Sequence, residues 1–315
     1  SLISMFEKEI RRKAKELLEA KAVDLVIGYT FGSLPFQARP ILISSPEDTE
    51  QLVWNHFCSP NLARYLLPYR ESSKKIALLA KGCDARAVVV LLREEQFPRE
   101  RIHIIGLPCS GIISKRKLEE KLGEIKEEDF SWEENSFLCQ GKKWEIDSFL
   151  EDTCARCRYP NPPLWDDLIG EEKEPRGSSV DYLEKISSQT EEERWQFFTQ
   201  ELSRCIRCYA CRNACPLCYC KECFAESDVP RWISGVPTLS DNLFFHLGRS
   251  MHLAGRCVEC GACERACPEE IKIGLLPLKV EEIIKNNFSF EAGLSLGEEA
   301  PLLTYKENDP GDFIK

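Results

Sequence analysis

The feature that most constrains this chain is a pattern of closely spaced cysteines that occurs twice. The first run is Cys205-x2-Cys208-x2-Cys211-x3-Cys215 followed by a proline, and residues 257–268 repeat it at the same intervals. Three thiols this close together wrap a short loop around one centre, so the fourth ligand of that centre has to come from another segment. The proline prevents the run from continuing as an ordinary helix. The repeat therefore predicts two sites that are built alike.

The chain has 17 cysteines among 315 residues, and they could either form disulfides or bind metal. Disulfide frameworks are typical of short secreted chains. This chain is long, and its amino terminus is a charged helical segment without the apolar run of a signal peptide. Metal binding is therefore the better interpretation. So many thiols persist only in a reducing compartment, which predicts a cytoplasmic protein.

The spacing C-x2-C-x2-C-x3-C-P is that of two-cluster ferredoxins, in which the fourth cysteine of each run ligates the cluster of the other run. It predicts two [4Fe–4S] clusters. The first cluster is assigned to Cys205, Cys208, Cys211 and Cys267. The second cluster is assigned to Cys257, Cys260, Cys263 and Cys215. Zinc is the alternative, but zinc prefers two separated pairs of ligands, which these runs do not provide.

Composition restricts the class of protein. Hydrophobic residues make up 43% and charged residues 30% of the chain, which is typical of a soluble globular protein. The length suggests two domains, and no apolar stretch reaches the roughly 20 residues that a membrane helix requires. The net charge of -10 disfavours a partnership with nucleic acid.

The amino-terminal half alternates strand and helix patterns. Residues 75–81 and 101–106 have the composition of buried strands, and residues 84–95 between them have that of a helix. Such a βαβ unit predicts an α/β domain with a parallel sheet.

Four cysteines of this half are predicted to share one site. Cys83 and Cys109 each follow one of these strands, so we expect both at the carboxyl edge of the sheet, where open α/β folds build their sites. Cys154-x2-Cys157 completes a set of four thiols. Taken alone, this pair could instead be a redox dithiol or half of a zinc site.

Nine cysteines remain outside the two ferredoxin runs. Cys139 is interpreted as a small apolar residue. The other eight are Cys58, Cys83, Cys109, Cys154, Cys157, Cys218, Cys220 and Cys223. Their number favours a third cluster and leaves room for a fourth, although spacing does not say which cysteines share a cluster. A zinc site of Cys218, Cys220 and Cys223, completed by Cys58 or His56, is the alternative.

The second half is predicted to be mainly helical. Capping boxes at Thr190 and Thr238 each begin a helix. Leucines and a methionine at four-residue intervals, from Leu239 to Met251, are typical of a helix, and Gly255 ends this pattern. His246 on that helix is interpreted as a structural histidine.

Two resemblances follow from these motifs. Residues 188–287 resemble the α-helical ferredoxin domain of heterodisulfide reductase and succinate dehydrogenase iron–sulfur subunits. Residues 22–175 resemble the beta-subunit family of deazaflavin (coenzyme F-420)-reducing hydrogenases, which includes a formate dehydrogenase beta subunit. The motifs for the second are Lys81-Gly-Cys-Asp-Ala-Arg-Ala, Gly106-Leu-Pro-Cys, Cys154-x2-Cys and the stretch from Trp165 to Gly170.

The resemblance implies iron–sulfur clusters and a flavin, FAD, in a subunit that relays electrons within an anaerobic multi-subunit oxidoreductase. The implied partners are the catalytic subunits of a hydrogenase, a formate dehydrogenase or a heterodisulfide-reductase-like complex. The predicted organisation is an α/β domain at 1–175, a dicluster ferredoxin domain at 176–287 and an extended tail at 288–315. The alternatives are a non-catalytic zinc- or cluster-bearing scaffold, and a dithiol reductase that uses Cys154 and Cys157.

Overall fold

A computed structural model describes residues 2–133, 135–177, 180–304 and residue 307. The chain divides into two compact units, Ser1–Gly177 and Ser178–Lys315. The division falls two residues beyond the boundary at 175 that the sequence predicts. Of the predicted tail, residues 305, 306 and 308–315 lie outside the described residues. The described part of the tail begins with Phe290 and Ala292 buried.

The first unit is built on a five-stranded sheet in the order β2-β1-β3-β4-β8. The strands of this unit are β1 Leu25–Phe31, β2 Ala38–Ile43, β3 Ile76–Ala80, β4 Ile102–Gly106, β5 Ser131–Trp132, β6 Ser136–Cys139, β7 Lys142–Glu145 and β8 Asp167–Leu168. Strands β1, β3, β4 and β8 are parallel, and β2 pairs antiparallel with β1 at the edge. The α/β class is therefore confirmed, with a mixed and mostly parallel sheet.

The central strands are almost continuously apolar because helices and loops cover the sheet on its two faces. All five residues of β3 are buried, as expected for a strand inside a parallel sheet. The helices of this unit are α1 Leu2–Glu19, α2 Gly82–Arg93, α3 Lys115–Leu122 and α4 Asp152–Ala155. Helix α1 buries Ile10, Ala14 and Leu18, which recur every four residues along one side.

A small antiparallel sheet, β5-β6-β7, completes the first unit. Phe137 on β6 and Phe149 just after β7 are fully buried, with ring centroids 5.2 Å apart. Cys139 belongs to the same apolar cluster and is 1% exposed. The structure thus places Cys139 as the small apolar residue that the sequence predicts.

The second unit is helical. Its helices are α5 Val180–Ser187, α6 Glu191–Ser203, α7 Ala210–Ala214, α8 Leu239–His252, α9 Ala262–Arg265 and α10 Leu275–Phe288. Thr190 caps α6 and Thr238 caps α8, each by accepting a hydrogen bond from the backbone N–H three residues later. In the part of the chain that the structure describes, no helix is long and apolar enough to span a membrane.

Helix α8 is present where the sequence predicts it, and its buried face is partly polar. Leu247 and Met251 of the four-residue pattern are 50% and 62% exposed, whereas Asn242, His246 and Arg249 are buried. Positions four residues apart drift by about 40° per step around a helix, so Leu247 and Met251 leave the side on which the pattern begins. The buried side also carries polar groups that the neighbouring cysteine loops require.

Candidate metal centres

The two cysteine runs fold into the same loop. Arg207 and Tyr209 in the first run have left-handed backbone conformations, and Glu259 and Gly261 have them at the equivalent positions of the second run. Such conformations cost energy for residues other than glycine and persist where the surroundings require them. When left- and right-handed residues alternate, successive backbone N–H groups point into the same concavity. Such a concavity binds anions. Both loops therefore have the backbone geometry of an anion-binding nest.

Each loop is followed at once by a short helix, α7 after the first and α9 after the second, and these helices pack against each other. This packing brings the end of each run beside the start of the other. Burial raises the pKa of Cys205, and the nearby sulfurs of Cys267 and Cys208 raise it further. Burial also raises the pKa of Cys211 to about 11, with Cys205 and Cys267 adding to it. The structure thus brings together the four cysteines that the sequence assigns to the first cluster.

The second group is assembled in the same crossed way. Burial raises the pKa of Cys263 to about 12, and Cys215 and Cys260 are among the groups that raise it further. Cys257 is buried as well, and Cys260 and Cys263 add to the increase in its pKa. The four predicted ligands of the second cluster are therefore neighbours.

These two groups fit a metal cluster chemically. Four thiols in each group are the ligand set of a [4Fe–4S] cluster, and metal binding releases the thiol protons. The Arg207 N–H lies 3.4 Å from the sulfur of Cys205, so the loop already directs a backbone donor at its first ligand. Among the described residues, no three His, Cys, Asp or Glu side chains converge as tightly as a single metal ion requires.

Helix α8 supports the first loop with side chains that the cysteine spacing does not reveal. The Asn242 amide donates to the carbonyl oxygens of Leu202 and Cys205, at 3.0 and 2.8 Å. His246 Nε2 lies 3.3 Å from the sulfur of Cys205. Burial lowers the pKa of His246 to about 4, so the ring is neutral at pH 7. His246 is therefore more than the structural histidine that the sequence suggests, because it contacts a predicted ligand.

A third group of cysteines lies at the carboxyl edge of the five-stranded sheet. Cys83 is in the first turn of α2, directly after β3, and Cys109 follows β4. The Cys109 N–H donates to the Pro160 carbonyl at 3.0 Å. This bond fastens the loop after β4 to the chain that follows Cys157.

The same sulfurs influence one another electrostatically. Burial is the largest influence on Cys109 and raises its pKa to about 12, and Cys154 and Cys157 raise it further. Lys81 opposes these effects. The Gly111 N–H, at 3.3 Å from the Cys109 sulfur, provides a backbone donor of the kind seen in the ferredoxin loops.

Gly82 allows this convergence. A Cβ atom at this position would overlap the carbonyl oxygen of Tyr159. Only a residue without a side chain lets the start of α2 approach the segment that carries Cys154 and Cys157. The glycine of the Lys-Gly-Cys motif is thus a requirement of close backbone packing.

A buried cation lies beside this third group. Lys81 is 2% exposed, and its Nζ contacts the Tyr29 hydroxyl and lies 2.9 Å from Asp84 Oδ2. Burial lowers the pKa of Lys81, but Asp84, Cys83 and Cys109 together raise it above its ordinary value. Lys81 therefore stays charged next to the thiols.

A cleft of about 60 Å³ adjoins Cys109. Its lining combines aromatic and cationic side chains, among them Trp54, His56, Lys81 and Lys173. Aromatic and cationic side chains of this kind suit the aromatic and anionic parts of an organic ligand.

Four of the remaining candidates do not form a comparable group in the structure. Cys58 is fully buried, and its sulfur lies 3.8 Å from Asn55 Oδ1. Cys218 donates a hydrogen bond to Cys215, Cys220 is exposed, and Cys223 accepts one from Arg212. The other proposed zinc ligand, His56, lies 3.2 Å from the Gly111 carbonyl oxygen. His56 and Cys58 belong to the first unit, and the other three cysteines belong to the second.

Comparisons with known proteins agree with this construction. Residues 201–271 match the family described as 4Fe-4S dicluster domain. The beta subunit of an F420-dependent formate dehydrogenase from Methanocaldococcus jannaschii is 26% identical over 89% of this chain and 90% of its own length. The chain is thus similar to this beta subunit over nearly the whole length of both. The resemblance that the sequence suggests is therefore confirmed, as is the presence of a dicluster domain.

Two further proteins are similar to this chain. The beta subunit of F420-dependent formate dehydrogenase 1 from Methanococcus maripaludis is also 26% identical, over 91% of this chain and 90% of its own length. A chain in a structure of the F420-reducing [NiFe] hydrogenase complex from Methanosarcina barkeri is 14% identical. That alignment covers 49% of this chain and 58% of the other, with a TM-score of 0.36.

Proposed function

We propose that this chain is the iron–sulfur beta subunit of an F420-dependent formate dehydrogenase or a closely related complex, and that it relays electrons between a flavin and a partner's catalytic site. The observation that carries the proposal is the crossed grouping of eight cysteines within the part of the chain that matches a dicluster domain. Homology over nine tenths of the chain to beta subunits of that enzyme supports the choice of complex.

The proposed ligands follow the three groups of thiols. Cys205, Cys208, Cys211 and Cys267 hold one [4Fe–4S] cluster, and Cys257, Cys260, Cys263 and Cys215 hold the next. Cys83, Cys109, Cys154 and Cys157 hold a third, at the edge of the sheet. Each cluster exchanges single electrons, so three of them provide a relay.

The flavin is proposed for the cleft beside Cys109. A bound FAD would exchange electron pairs with a soluble carrier and single electrons with a cluster. Lys81 supplies a permanent positive charge at the floor of this cleft, and Trp54 supplies an apolar wall. These features suit the anionic and aromatic parts of such a cofactor.

The proposed partner is a separate catalytic subunit, because a relay needs a redox site at each end. We also propose a cytoplasmic location, since the thiols that ligate clusters require a reducing compartment.

The proposal is tested by purifying the protein without oxygen and counting iron, acid-labile sulfide and flavin per chain. Three clusters predict about twelve iron atoms, two predict about eight and four predict about sixteen. One flavin per chain is expected in addition. A colourless protein with one or two zinc ions and no acid-labile sulfide would contradict the proposal.

A further inference from the structure

Arg249 is a buried arginine on helix α8 that lies beside sulfurs of both ferredoxin groups. It is 4% exposed, and its Nη2 lies 3.4 Å from the carbonyl oxygen of Cys211, a member of the first group. Its guanidinium also donates to the sulfur of Cys218, which in turn is hydrogen-bonded to Cys215 of the second group.

The electrostatic surroundings of Arg249 are those of a cation between two sets of thiols. The sulfurs of four cysteines lie close enough to Arg249 to stabilise its positive charge. These cysteines are Cys263, Cys215, Cys218 and Cys211. Two of them belong to the second group and one to the first.

The protein supplies no full set of partners for this guanidinium. Within the described residues, no carboxylate lies at ion-pair distance from Arg249, and its Nε is buried without any acceptor. A buried donor without a partner destabilises the folded protein, and a buried charge without a counterion destabilises it more. An anionic hydrogen-bond acceptor beside the guanidinium would remove both effects.

The position of Arg249 restricts what that acceptor can be. It must be anionic, and it must lie within reach of a side chain that already contacts both cysteine groups. A four-iron cube held by four thiolates is an anion, and its sulfur atoms accept hydrogen bonds.

We propose that Arg249 is a positioning residue of the electron relay, with its guanidinium set between the two ferredoxin clusters and its Nε donating to a cluster sulfur. This inference rests on the proposed function, since it requires that the clusters are bound. Reduction adds negative charge to a cluster, and a nearby fixed cation stabilises that form. Arg249 therefore raises the reduction potentials of both clusters together.

The first experiment compares Arg249→Gln with Arg231→Gln in the full chain, purified without oxygen. Arg231 is a matched control because it is exposed, lies in the same unit and pairs with Asp228 at 2.6 Å. Redox titrations followed by electron paramagnetic resonance give the midpoint potentials, and iron and sulfide are counted in parallel. We expect both ferredoxin midpoints to become more negative in Arg249→Gln and to stay unchanged in Arg231→Gln.

The second experiment keeps the positive charge at position 249, so it remains informative if Arg249→Gln does not assemble its clusters. Wild-type protein is prepared with arginine labelled with ¹⁵N only in the guanidine group, and the reduced clusters are examined by pulsed electron paramagnetic resonance. We expect a ¹⁵N coupling that disappears in Arg249→Lys, which keeps the charge but lacks the guanidinium donor.

The outcomes separate this inference from the proposed function. Wild-type protein without iron and acid-labile sulfide would overturn both. Clusters that show no guanidine coupling, or a coupling that persists in Arg249→Lys, would overturn only the inference. Unchanged midpoints in an Arg249→Gln protein with full iron content would do the same.

Discussion

Cys267 ends the second cysteine run but lies beside Cys205 and Cys211 of the first run. The location of Cys267 distinguishes two arrangements, one in which each cluster takes its fourth ligand from the other run and one in which each run ligates its own cluster. If each run held its own cluster, Cys267 would serve the same centre as Cys260. The crossed arrangement makes Cys267 a partner of Cys205 instead.

We expect Cys267→Ser to remove the cluster that Cys205 ligates. Iron should fall by about four atoms per chain in Cys267→Ser, in Cys205→Ser and in the double variant of these two, because all three lose the same cluster. The double variant Cys260→Ser/Cys267→Ser should lose about eight. Iron analysis after anaerobic purification measures this, and a loss of only four in that second double variant would contradict the crossed assignment.

A second prediction at the scale of one residue concerns the close packing at Gly82. Gly82→Ala places a methyl group against the carbonyl oxygen of Tyr159 and should push the Cys154–Cys157 segment away from Cys83 and Cys109. We expect a loss of about four iron atoms per chain and a destabilisation of about 1–3 kcal/mol.

The matched control is Gly235→Ala, since a Cβ atom at Gly235 meets no atom within 4 Å. Iron content and thermal unfolding of the two variants should be compared. Full iron content in Gly82→Ala would mean that the third group of thiols tolerates the displacement, or holds no cluster.

At the scale of elements, the carboxylate of Asp167 on β8 ties three segments together. It accepts from Lys13 on α1 at 2.9 Å and lies 2.7 Å from His103 Nε2 on β4. Partial burial alone raises the pKa of Asp167, but the bonds from Lys13 and His103 outweigh it and lower the pKa below its ordinary 3.8. A lowered pKa in the folded state stabilises the protein above the ordinary pKa and ceases to do so as the pH falls through the folded value.

Asp167→Asn should therefore lower the melting temperature at pH 7, with a cost of about 1 kcal/mol because the pair is partly exposed. The difference from wild type should shrink as the pH falls toward 4 and below, since the wild-type carboxylate becomes protonated. Thermal unfolding across this range measures the effect. A difference that stays constant with pH would show that packing, and not the charge, is responsible.

The sequence was a good guide to elements where one local pattern decides the structure. The apolar run of β3 and the helix after it placed Cys83 at the sheet edge, and the capping boxes located the starts of α6 and α8. Helix α5 was not predicted, because its segment is mostly polar, although Leu183 is buried against Leu275 and Leu278.

Other features depend on contacts that spacing does not encode. His246 and Arg249 stand next to cysteines that are more than thirty positions away in the chain. No local pattern distinguishes them from ordinary polar residues of a surface helix. The role of a charged residue on this helix can be inferred only once the packing of α8 against the cysteine runs is known.

At the scale of the whole molecule, the two units each have a core and a set of thiols of their own. Units with separate cores often fold independently. We therefore expect a fragment of residues 178–315, reconstituted with iron and sulfide, to hold about eight iron atoms. Iron analysis and circular dichroism of the fragment test this expectation. A fragment that stays unfolded and free of iron would mean that the second unit requires the first.

Each cysteine run reaches into both ferredoxin groups, so neither loop is anchored by one centre alone. If oxygen destroys one cube, the loop that supplied three of its ligands loosens, and the other cube loses the support of its fourth ligand. In air, the remaining cube should consequently be lost faster than the first, whereas without oxygen the form with a single cube persists.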